Sequence, residues 1–343
     1  MAHRDIVVMG ASAGGVEGFR EVVRALLPGF PGSVFIVLHI SAEAPSHLPA
    51  ILGRATDLPV AQARDHAPIE PGHIYIAPPD HHLILHRGFM RVVRGPRENR
   101  HRPAIDPLFR SAARSYGPRV VGVLLSGLMD DGTSGLQMIR ARGGVSIVQD
   151  PDEAEFSKMP QNAVEYAKPD WVLPVGEIGP LLTQLITETV AEKAEKAAPG
   201  ALQQEVEIAE MDMDAIESEK RGAPSGFSCP ECQGVLWEIK EGELSRFRCR
   251  VGHAYSAESL VIAKSEALEA ALWSALRALE ESAAISRRMA DRARKNGHGF
   301  VEARVEEDAM EKEAQARMVR EMLLGNHASN AGEESEIRTG TEA

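Results

Sequence analysis

Residues 6–15 read Ile6-Val7-Val8-Met9-Gly10-Ala11-Ser12-Ala13-Gly14-Gly15, and this stretch decides the fold. An apolar run without polar alternation is typical of a strand covered on both faces, as in a parallel sheet. The run leads through small residues into residues 16–27, whose apolar side chains have helical spacing. The sequence therefore predicts a strand that turns sharply into a helix at Ser12.

The same alternation continues to about residue 186. Further apolar strand patterns lie at residues 34–39, 73–77, 120–125 and 145–149, and further helical patterns at 106–116 and 135–142. Strand followed by helix, repeated, predicts a three-layer, Rossmann-like α/β domain with a doubly wound, mostly parallel sheet and a ligand site at the carboxyl ends of its strands. Residues 74–94, with Pro78-Pro79-Asp80 as the turn, predict an inserted β-hairpin.

The composition changes after the α/β pattern ends. We predict the α/β domain at residues 1–186, a partly helical or disordered linker at 187–226, a small zinc-ribbon-like module at 227–256, a helical hairpin at 257–325 and a disordered tail at 326–343. Residues 1–186 hold 18 Lys and Arg against 19 Asp and Glu, so most of the net charge of −12 falls in the second half.

The composition also restricts location and partners. With a sequence pI of about 5.5 and no aromatic residues among the basic ones, nucleic acid is a poor partner. No apolar run is long enough for membrane insertion, and the first residues lack a signal-peptide pattern, so we expect a cytoplasmic protein. A cluster of basic residues is interpreted as a solvated hairpin face or, alternatively, as a surface that attracts an acidic protein: Arg87, Arg91, Arg94, Arg97, Arg100 and Arg102.

The glycine-rich turn has two interpretations. A dinucleotide-binding turn needs glycine at its second conserved position, where this chain has Ser12. Gly10-x-Ser12-x-Gly14 fits instead a nucleophile elbow, in which small neighbours leave the serine hydroxyl exposed. The N–H groups of Ala13 and Gly14 then lie at a helix N-terminus and are suited to bind an oxyanion.

A base and an acid are expected at the same edge of the sheet. Most of the 12 histidines, including His101, lie in polar loops or hairpin edges, but His39 ends an apolar strand pattern. The pattern at 120–125 leads to Asp130 and Asp131, and either acid can instead cap the next helix. Serine, histidine and carboxylate at three strand ends predict a catalytic triad, with histidine as proton acceptor.

Several stretches together resemble the catalytic domain of chemotaxis protein-glutamate methylesterases. These are Gly10–Gly15, Val37-Leu38-His39-Ile40, Tyr75-Ile76-Ala77-Pro78-Pro79, Arg102-Pro103-Ala104-Ile105-Asp106, and Leu125-Ser126-Gly127 with Asp131-Gly132. The resemblance implies a serine esterase with Ser12 as nucleophile, His39 as general base and then acid, and Asp131 as the orienting carboxylate. Its implied substrate is the methyl ester of glutamate on a methylated chemoreceptor, with glutamine deamidation as a further activity and no catalytic cofactor.

Two departures from that family bear on mechanism and control. The family usually has Met-Gly where this chain has Leu128-Met129, in a loop that borders the oxyanion site. Typical members also carry a receiver domain ahead of the catalytic domain, whereas this sequence starts at the catalytic strand, so we expect no phosphorylation control of that kind.

All three cysteines lie within Cys229-x2-Cys232-x16-Cys249-x3-His253. Three thiolates and one imidazole complete a tetrahedral zinc site, and a closed site of this kind is structural. A redox pair at Cys229 and Cys232 is the alternative, although it leaves Cys249 and His253 unexplained. We expect this module to bind one zinc and to stay outside the chemistry.

Two other functions compete with the esterase. A catalytically inactive signalling scaffold would act through the acidic helical hairpin, but the complete serine, histidine and aspartate set argues against it. A nucleotide-binding oxidoreductase is disfavoured by Ser12 in place of the central glycine.

Overall fold

The structure is a computed structural model that describes residues 2–43, 45–190, 200–212, 214–215, 222–241 and 244–339. The chain forms two compact units, Met1–Val261 and Ile262–Ala343. The first unit therefore includes the α/β domain, the described parts of the predicted linker and the Cys/His segment. Residues 191–199, 213 and 216–221 of that linker lie outside the described residues.

The first unit contains most of the secondary structure. Its α/β strands are β1 (Ala2–His3), β2 (Ile6–Ala11), β3 (Ser33–Leu38), β4 (Val60–Gln62), β5 (Ile74–Ile76), β6 (His82–His86), β7 (Phe89–Val93), β8 (Val120–Leu124), β9 (Val145–Gln149), β10 (Trp171–Leu173) and β11 (Thr189–Val190). The helices are α1 (Gly15–Arg24), α2 (Leu48–Leu52), α3 (Ile105–Tyr116), α4 (Thr133–Ala141), α5 (Lys158–Asn162), α6 (Val175–Leu185) and α7 (Gly200–Ala209).

Seven strands form one sheet in the order β10-β9-β8-β2-β3-β5-β4. Every neighbouring pair in this sheet is parallel, which confirms the predicted fold class. The chain passes from β2 to β3 on one side, while β8 pairs with β2 on the other side. The carboxyl end of β2 is therefore the point where the strand order reverses, the usual place for a ligand site in such sheets.

Helices cover both faces of this sheet because the side chains of each strand alternate between the faces. On one face, Val7 and Met9 pack with Phe19 of α1 and Leu182 of α6. On the opposite face, Ile6 and Val8 belong to a second apolar cluster, formed with side chains of α3 and α4 such as Phe109 and Leu136. The resulting layers hold the strand ends, and thus the residues that follow them, in fixed positions.

The hairpin differs from its prediction. Strands β6 and β7 form a separate antiparallel pair, and Arg87-Gly88 connects them, with Gly88 at a φ of +81°. The predicted turn at residues 78–80 instead joins β5 of the main sheet to β6. Gly88 provides the left-handed backbone that a two-residue hairpin connection needs. The hairpin therefore turns at Gly88 and not at the two prolines.

The Cys/His segment of the first unit is a small antiparallel sheet. Its strands are β12 (Ala223–Ser228), β13 (Val235–Glu241), β14 (Leu244–Cys249) and β15 (Ala254–Ser256), in that order. Helix α7 of the linker packs against α3 and buries Leu202 and Val206. The predicted linker thus contributes the short strand β11, a helix and most of β12 to the first unit.

The second unit consists of two long helices, α8 (Ala257–Lys295), which begins in the first unit, and α9 (Gly299–Thr339). They meet through Leu276, Ala316 and Leu323 and are linked by Arg287–Glu313 ion pairing. Helix α9 extends beyond residue 325, where the sequence predicts the start of a tail, and residues 340–343 lie outside the described residues. Among the described helices, none combines the length and apolarity needed to cross a lipid bilayer.

Candidate active site

Ser12 and His39 follow two paired strands. Ala11 at the end of β2 pairs with Leu38 at the end of β3, and the His39 N–H donates to the Ala11 carbonyl at 3.1 Å. The Ser12 N–H donates to the Ser126 carbonyl at 3.0 Å, in the loop after β8. The three strand ends named by the sequence therefore meet at one edge of the sheet.

Small residues are required around Ser12. Gly14 has a φ of +72°, and a Cβ placed there would approach the Ser126 Oγ to 2.8 Å. A Cβ on Gly10 would lie 2.4 Å from the Ile105 side chain, at the start of α3. The turn after β2 is therefore tight on both sides of Ser12, as a nucleophile elbow requires.

His39 and Asp131 form a buried pair. The His39 Nε2 lies 2.8 Å from the Asp131 Oδ2, and the two side chains are 3% and 1% exposed. An ionised carboxylate can only accept, so the His39 Nε2 carries the proton and the Nδ1 is left as a proton acceptor. Within the part of the chain that the structure describes, this buried Nδ1 has no hydrogen-bond partner.

Four donors surround the Asp131 carboxylate. Besides His39, the Ile105 N–H donates to Oδ2 at 2.7 Å, and the Asn99 Nδ2 and the Asp106 N–H donate to Oδ1 at 3.0 and 3.3 Å. The two N–H groups belong to the N-terminus of α3, which favours negative charge. Burial alone would raise the pKa of Asp131, but His39, Ile105 and Asn99 together lower it to about 2.

Asp130 has a different environment. Its Oδ1 accepts a hydrogen bond from the Ser256 Oγ at 2.7 Å, and burial raises its pKa to about 6. Neither acid is the N-cap residue of α4, because Gly132 occupies that position. The Gly135 N–H at that end donates instead to Asp106 Oδ1 at 2.7 Å.

Besides Asn99, sequence reasoning missed His101 and Asp106 as neighbours of the pair. The His101 ring stacks on the His39 ring with centroids 3.6 Å apart, although the sequence places His101 in a polar loop. Burial, followed by the charge of His39, lowers the pKa of His101 to about 3, so this ring is neutral. Burial and the charge of Asp131 raise the pKa of Asp106 to about 7. The one signal for these two residues in the sequence is the motif at residues 102–106, which Asp106 ends and His101 precedes directly.

A cavity of about 370 Å³ opens onto Ser12 and His39. Its other lining residues are Ile40, Ser41, Ala42, Arg97, Arg100, His101 and Arg102. Arg102 is held by Asp80, with its Nε 2.8 Å from Oδ1, and Asp80 also pairs with Arg94. Three arginines of the basic cluster thus border the cavity, while others pair on the hairpin surface, as Arg91 does with Asp65.

The Leu128-Met129 loop lies after the β8 strand end. Leu128 is exposed, and Met129 has a φ of +63°, the left-handed region that glycine adopts freely. A non-glycine residue in this conformation costs on the order of 1 kcal/mol. The Asn162 Nδ2 donates to the Met129 carbonyl at 3.0 Å and holds the loop. The loop therefore keeps a glycine-like backbone despite its methionine.

The Cys/His cluster fits a tetrahedral metal ion. The ligand atoms of Cys229, Cys232, Cys249 and His253 all lie within 4.8 Å of one another. The Cys232 and Cys249 Sγ atoms are 3.6 Å apart, and the His253 Nδ1 is 3.7 Å from the Cys229 Sγ. A tetrahedral zinc with bonds of about 2.3 Å to sulfur and about 2.0 Å to nitrogen separates its ligand atoms by roughly 3.5–3.8 Å. The cluster can therefore bind a metal.

The Cys/His sheet also contacts residues that surround the candidate site. Ser256 of β15 contacts Asp130, and its N–H donates to the Asn99 Oδ1 at 2.9 Å. Asn99 is the residue whose amide donates to Asp131. No pattern near Asn99 in the sequence indicates this contact.

In comparison with known protein families, residues 7–182 match the family described as CheB methylesterase. A protein-glutamate methylesterase/protein-glutamine glutaminase 2 from Anaeromyxobacter dehalogenans is 40% identical over 184 residues, covering 54% of this chain and 54% of that protein. A putative protein of the same description from Leptospira interrogans is 34% identical, covering 53% of this chain and 94% of that protein.

A solved structure is also similar. The crystal structure of the Thermotoga maritima CheB methylesterase catalytic domain superimposes with a TM-score of 0.52 at 30% sequence identity. The match covers 54% of this chain and 100% of that one. The chain spans about half the length of curated relatives such as that of A. dehalogenans.

Proposed function

Since the chain belongs to the CheB methylesterase family, we propose that it is a serine esterase that removes methyl groups from glutamate side chains of a methylated chemoreceptor or similar signalling protein. Its products are the glutamate carboxylate and methanol. The observation that carries this proposal is the His39 ring, which is fixed by Asp131 on one nitrogen and has a buried Nδ1 without a partner among the described residues.

The proposed reaction has two halves. The Ser12 hydroxyl attacks the ester carbonyl while the His39 Nδ1 accepts its proton, and the same proton then goes to the departing methoxide, which leaves as methanol. A water molecule next attacks the glutamyl ester of Ser12 and loses a proton to His39. The bond between the acyl carbon and the Ser12 oxygen then breaks, His39 returns the proton to that oxygen, and the glutamate carboxylate leaves. Asp131 holds the imidazole tautomer and stabilises its charged form.

The oxyanion of each tetrahedral intermediate needs donors close to Ser12. We assign this role to the N–H groups of Ala13 and Gly14, which precede α1 directly and benefit from its dipole. The loop at Leu128 and Met129 borders the same edge, and its glycine-like backbone supports a role there.

The arginines at the cavity support an acidic protein as substrate. Arg97 and Arg100 border the opening next to Ser12, and positive charge there increases the rate of encounter with a negatively charged partner. Relatives are also named as glutaminases, and the same two steps applied to a glutamine side chain release ammonia. Deamidation is therefore part of the proposed activity.

The proposal includes one structural zinc at Cys229, Cys232, Cys249 and His253, with no cofactor in catalysis. The Glu231 Oε2 lies 3.2 Å from the His253 Nε2 and orients the ring so that Nδ1 faces the three sulfurs. Reduced thiolates are typical of the cytosol, which supports a cytoplasmic location.

The test of the esterase is methanol release from a methyl-labelled receptor fragment and from a small glutamate methyl ester. Ser12→Ala should lower the rate by several orders of magnitude while the melting temperature stays within a few degrees. Ser41→Ala is the matched control, because Ser41 borders the same cavity in an exposed loop, and it should retain activity within about tenfold. A folded Ser12→Ala protein within tenfold of the parent would exclude Ser12 as the nucleophile.

A further inference from the structure

Asn99 connects the Cys/His sheet to the candidate triad. Its side chain is 3% exposed, and its Nδ2 donates to the Asp131 Oδ1 at 3.0 Å. His39 uses the other oxygen, Oδ2, so Asn99 and His39 hold the carboxylate from two sides. A hydrogen bond to a charged group contributes more than one between neutral groups, so this contact affects the orientation and charge of Asp131.

The orientation of the Asn99 amide is set from the other side. Its Oδ1 accepts the Ser256 N–H at 2.9 Å and the Ser259 hydroxyl at 3.2 Å. Its backbone N–H donates to the Ala254 carbonyl at 2.8 Å. With two donors on Oδ1, the amide can present only Nδ2 to Asp131. All of these partners lie within six residues of His253: Ala254 and Ser256 in β15, and Ser259 in the first turn of α8.

Buried ion pairs fix the Cys/His sheet on the α/β domain. From β14, Arg246 and Arg248 each contact Glu98 at 3.2 Å. The same arginines contact Glu205 of α7 at 2.8 and 2.6 Å. Arg110 of α3 also pairs with Glu98, the residue that precedes Asn99. Separation of the sheet would leave Glu98 and Glu205 short of partners in a buried environment, which is strongly unfavourable.

The sheet itself has few apolar residues to hold its shape. Its buried apolar side chains in β13, β14 and β15 are Leu236, Phe247, Ala254 and Tyr255, with two of the three cysteines also buried. A module of this size usually depends on its metal ligands for folding. The position of residues 254–259 therefore depends on the four-ligand cluster that ends at His253.

We propose that Asn99 is a positioning residue for Asp131, and that the Cys/His sheet controls the esterase by orienting the Asn99 amide through residues 254–259. Loss of the metal releases these residues, the Nδ2 no longer faces Asp131, and the His39–Asp131 pair loses its fixed geometry. The metal site thus regulates the rate through Asn99 and Asp131, without contacting substrate. This inference rests on the proposed function for the roles of His39 and Asp131.

The first test is Asn99→Gly in the full chain. Glycine keeps the backbone at the Asn99 φ of +47° and the N–H bond to Ala254, but removes the amide. We expect kcat on the small methyl ester to fall about tenfold or more, with KM within about twofold. Asn99→Asp, which also tolerates this φ, is the second variant and should lose at least as much. An unchanged kcat in folded Asn99→Gly overturns the positioning role.

The second test combines this variant with metal removal. The zinc-loaded parent is compared with the chelated protein, and zinc alone is then added back. Chelation should lower kcat in the parent by a similar factor, but should have little additional effect in Asn99→Gly, because both changes act on one contact. Equal effects of chelation in the two proteins would show that the metal acts by another route and would overturn the proposal.

A third measurement does not depend on activity. Hydrogen exchange should accelerate at the Asn99 and Ser256 amides after chelation, and the proton resonance of the His39 Nε2–H should shift in Asn99→Gly. An inactive parent in which both changes occur would refute the proposed esterase while the Asn99 coupling stands. Unchanged exchange and an unchanged resonance would overturn the coupling whether or not the parent is active.

Discussion

The parallel sheet and the attachment of the Cys/His sheet to it are stabilised by opposite means. Strands β2, β3 and β8 bury every residue that they contain, and nearly all of these residues are apolar. At the attachment, in contrast, ion pairs join five residues that are all buried and charged: Glu98, Glu205, Arg110, Arg246 and Arg248. Apolar packing tolerates imperfect partners, whereas a buried charge requires its own partner at hydrogen-bond distance.

This difference divides the candidate site into two parts. Ser12 and His39 are positioned by the ends of β2 and β3, and therefore by apolar packing and the backbone. Asp131 is positioned by polar groups, which are the N-terminus of α3 and the Asn99 amide. We therefore expect the polar part to be the more sensitive to single substitutions, and three predictions test this expectation.

The largest expected effect distinguishes the two adjacent acids. Asp131→Asn should lower kcat by about 10⁴-fold, because an amide favours the wrong tautomer of His39. Asp130→Asn should stay within about tenfold of the parent, because Asp130 bonds to Ser256 and not to the imidazole. Steady-state kinetics on the small methyl ester, with circular dichroism of both variants, measures the contrast. Equal losses, or a larger loss at Asp130, would mean that the orienting carboxylate is assigned wrongly.

A smaller effect is expected on stability, where a substitution at the charged attachment is compared with one in the parallel sheet. Burial would raise the pKa of Glu98, but Arg110, Arg248 and Arg246 hold it far below its usual range, so the carboxylate is charged. Glu98→Gln should lower the free energy of unfolding of the first unit by about 3 kcal/mol, because it leaves buried arginines without their counter-charge. Ile36→Val in β3 should cost only about 1 kcal/mol.

Urea denaturation of the two full-length variants measures these free energies, and the ester assay completes the comparison. Glu98→Gln should also reduce kcat, since Asn99 follows Glu98 directly, whereas Ile36→Val should not. A Glu98→Gln protein as stable as Ile36→Val would show that the attachment does not depend on paired charge.

The third prediction concerns Asp106, which lies between the sheet edge and the charged attachment. Burial and Asp131 raise its pKa to about 7 in the folded protein, against about 3.9 in an unfolded chain. The proton on Asp106 therefore stabilises the fold fully below pH 4, and this stabilisation is lost as the pH rises through 7. Between these values the free energy of unfolding should fall by on the order of 1 kcal/mol per pH unit from this group.

Asp106→Asn removes this titration. Thermal or urea unfolding at several pH values from 4.5 to 7 should give a curve for the variant that falls less steeply than that of the parent. Asp65→Asn, at a largely exposed carboxylate paired with Arg91, is the matched control and should not flatten the curve. Parallel curves for the parent and Asp106→Asn would show that Asp106 titrates normally.

The sequence by itself determined those features of the fold and the site that depend on residues close together in the chain. Apolar runs gave the strands of the parallel sheet, small residues around Ser12 gave the sharp turn, and the ends of those strands placed Ser12 and His39 at one edge. The spacing of three cysteines and His253 gave a cluster that can bind a metal. In each case the physical cause, strand burial or ligand chemistry, acts along a short stretch of chain.

Only the tertiary structure decided the rest. The difference between Asp130 and Asp131 arises because α3 and Asn99 reach one of them and Ser256 reaches the other. The stacking of His101 on His39 and the contact of Asn99 with Ser256 join distant segments, the latter 157 residues apart. Buried hydrogen bonds of this kind depend on how separate elements pack, and the local pattern of a sequence does not contain that information.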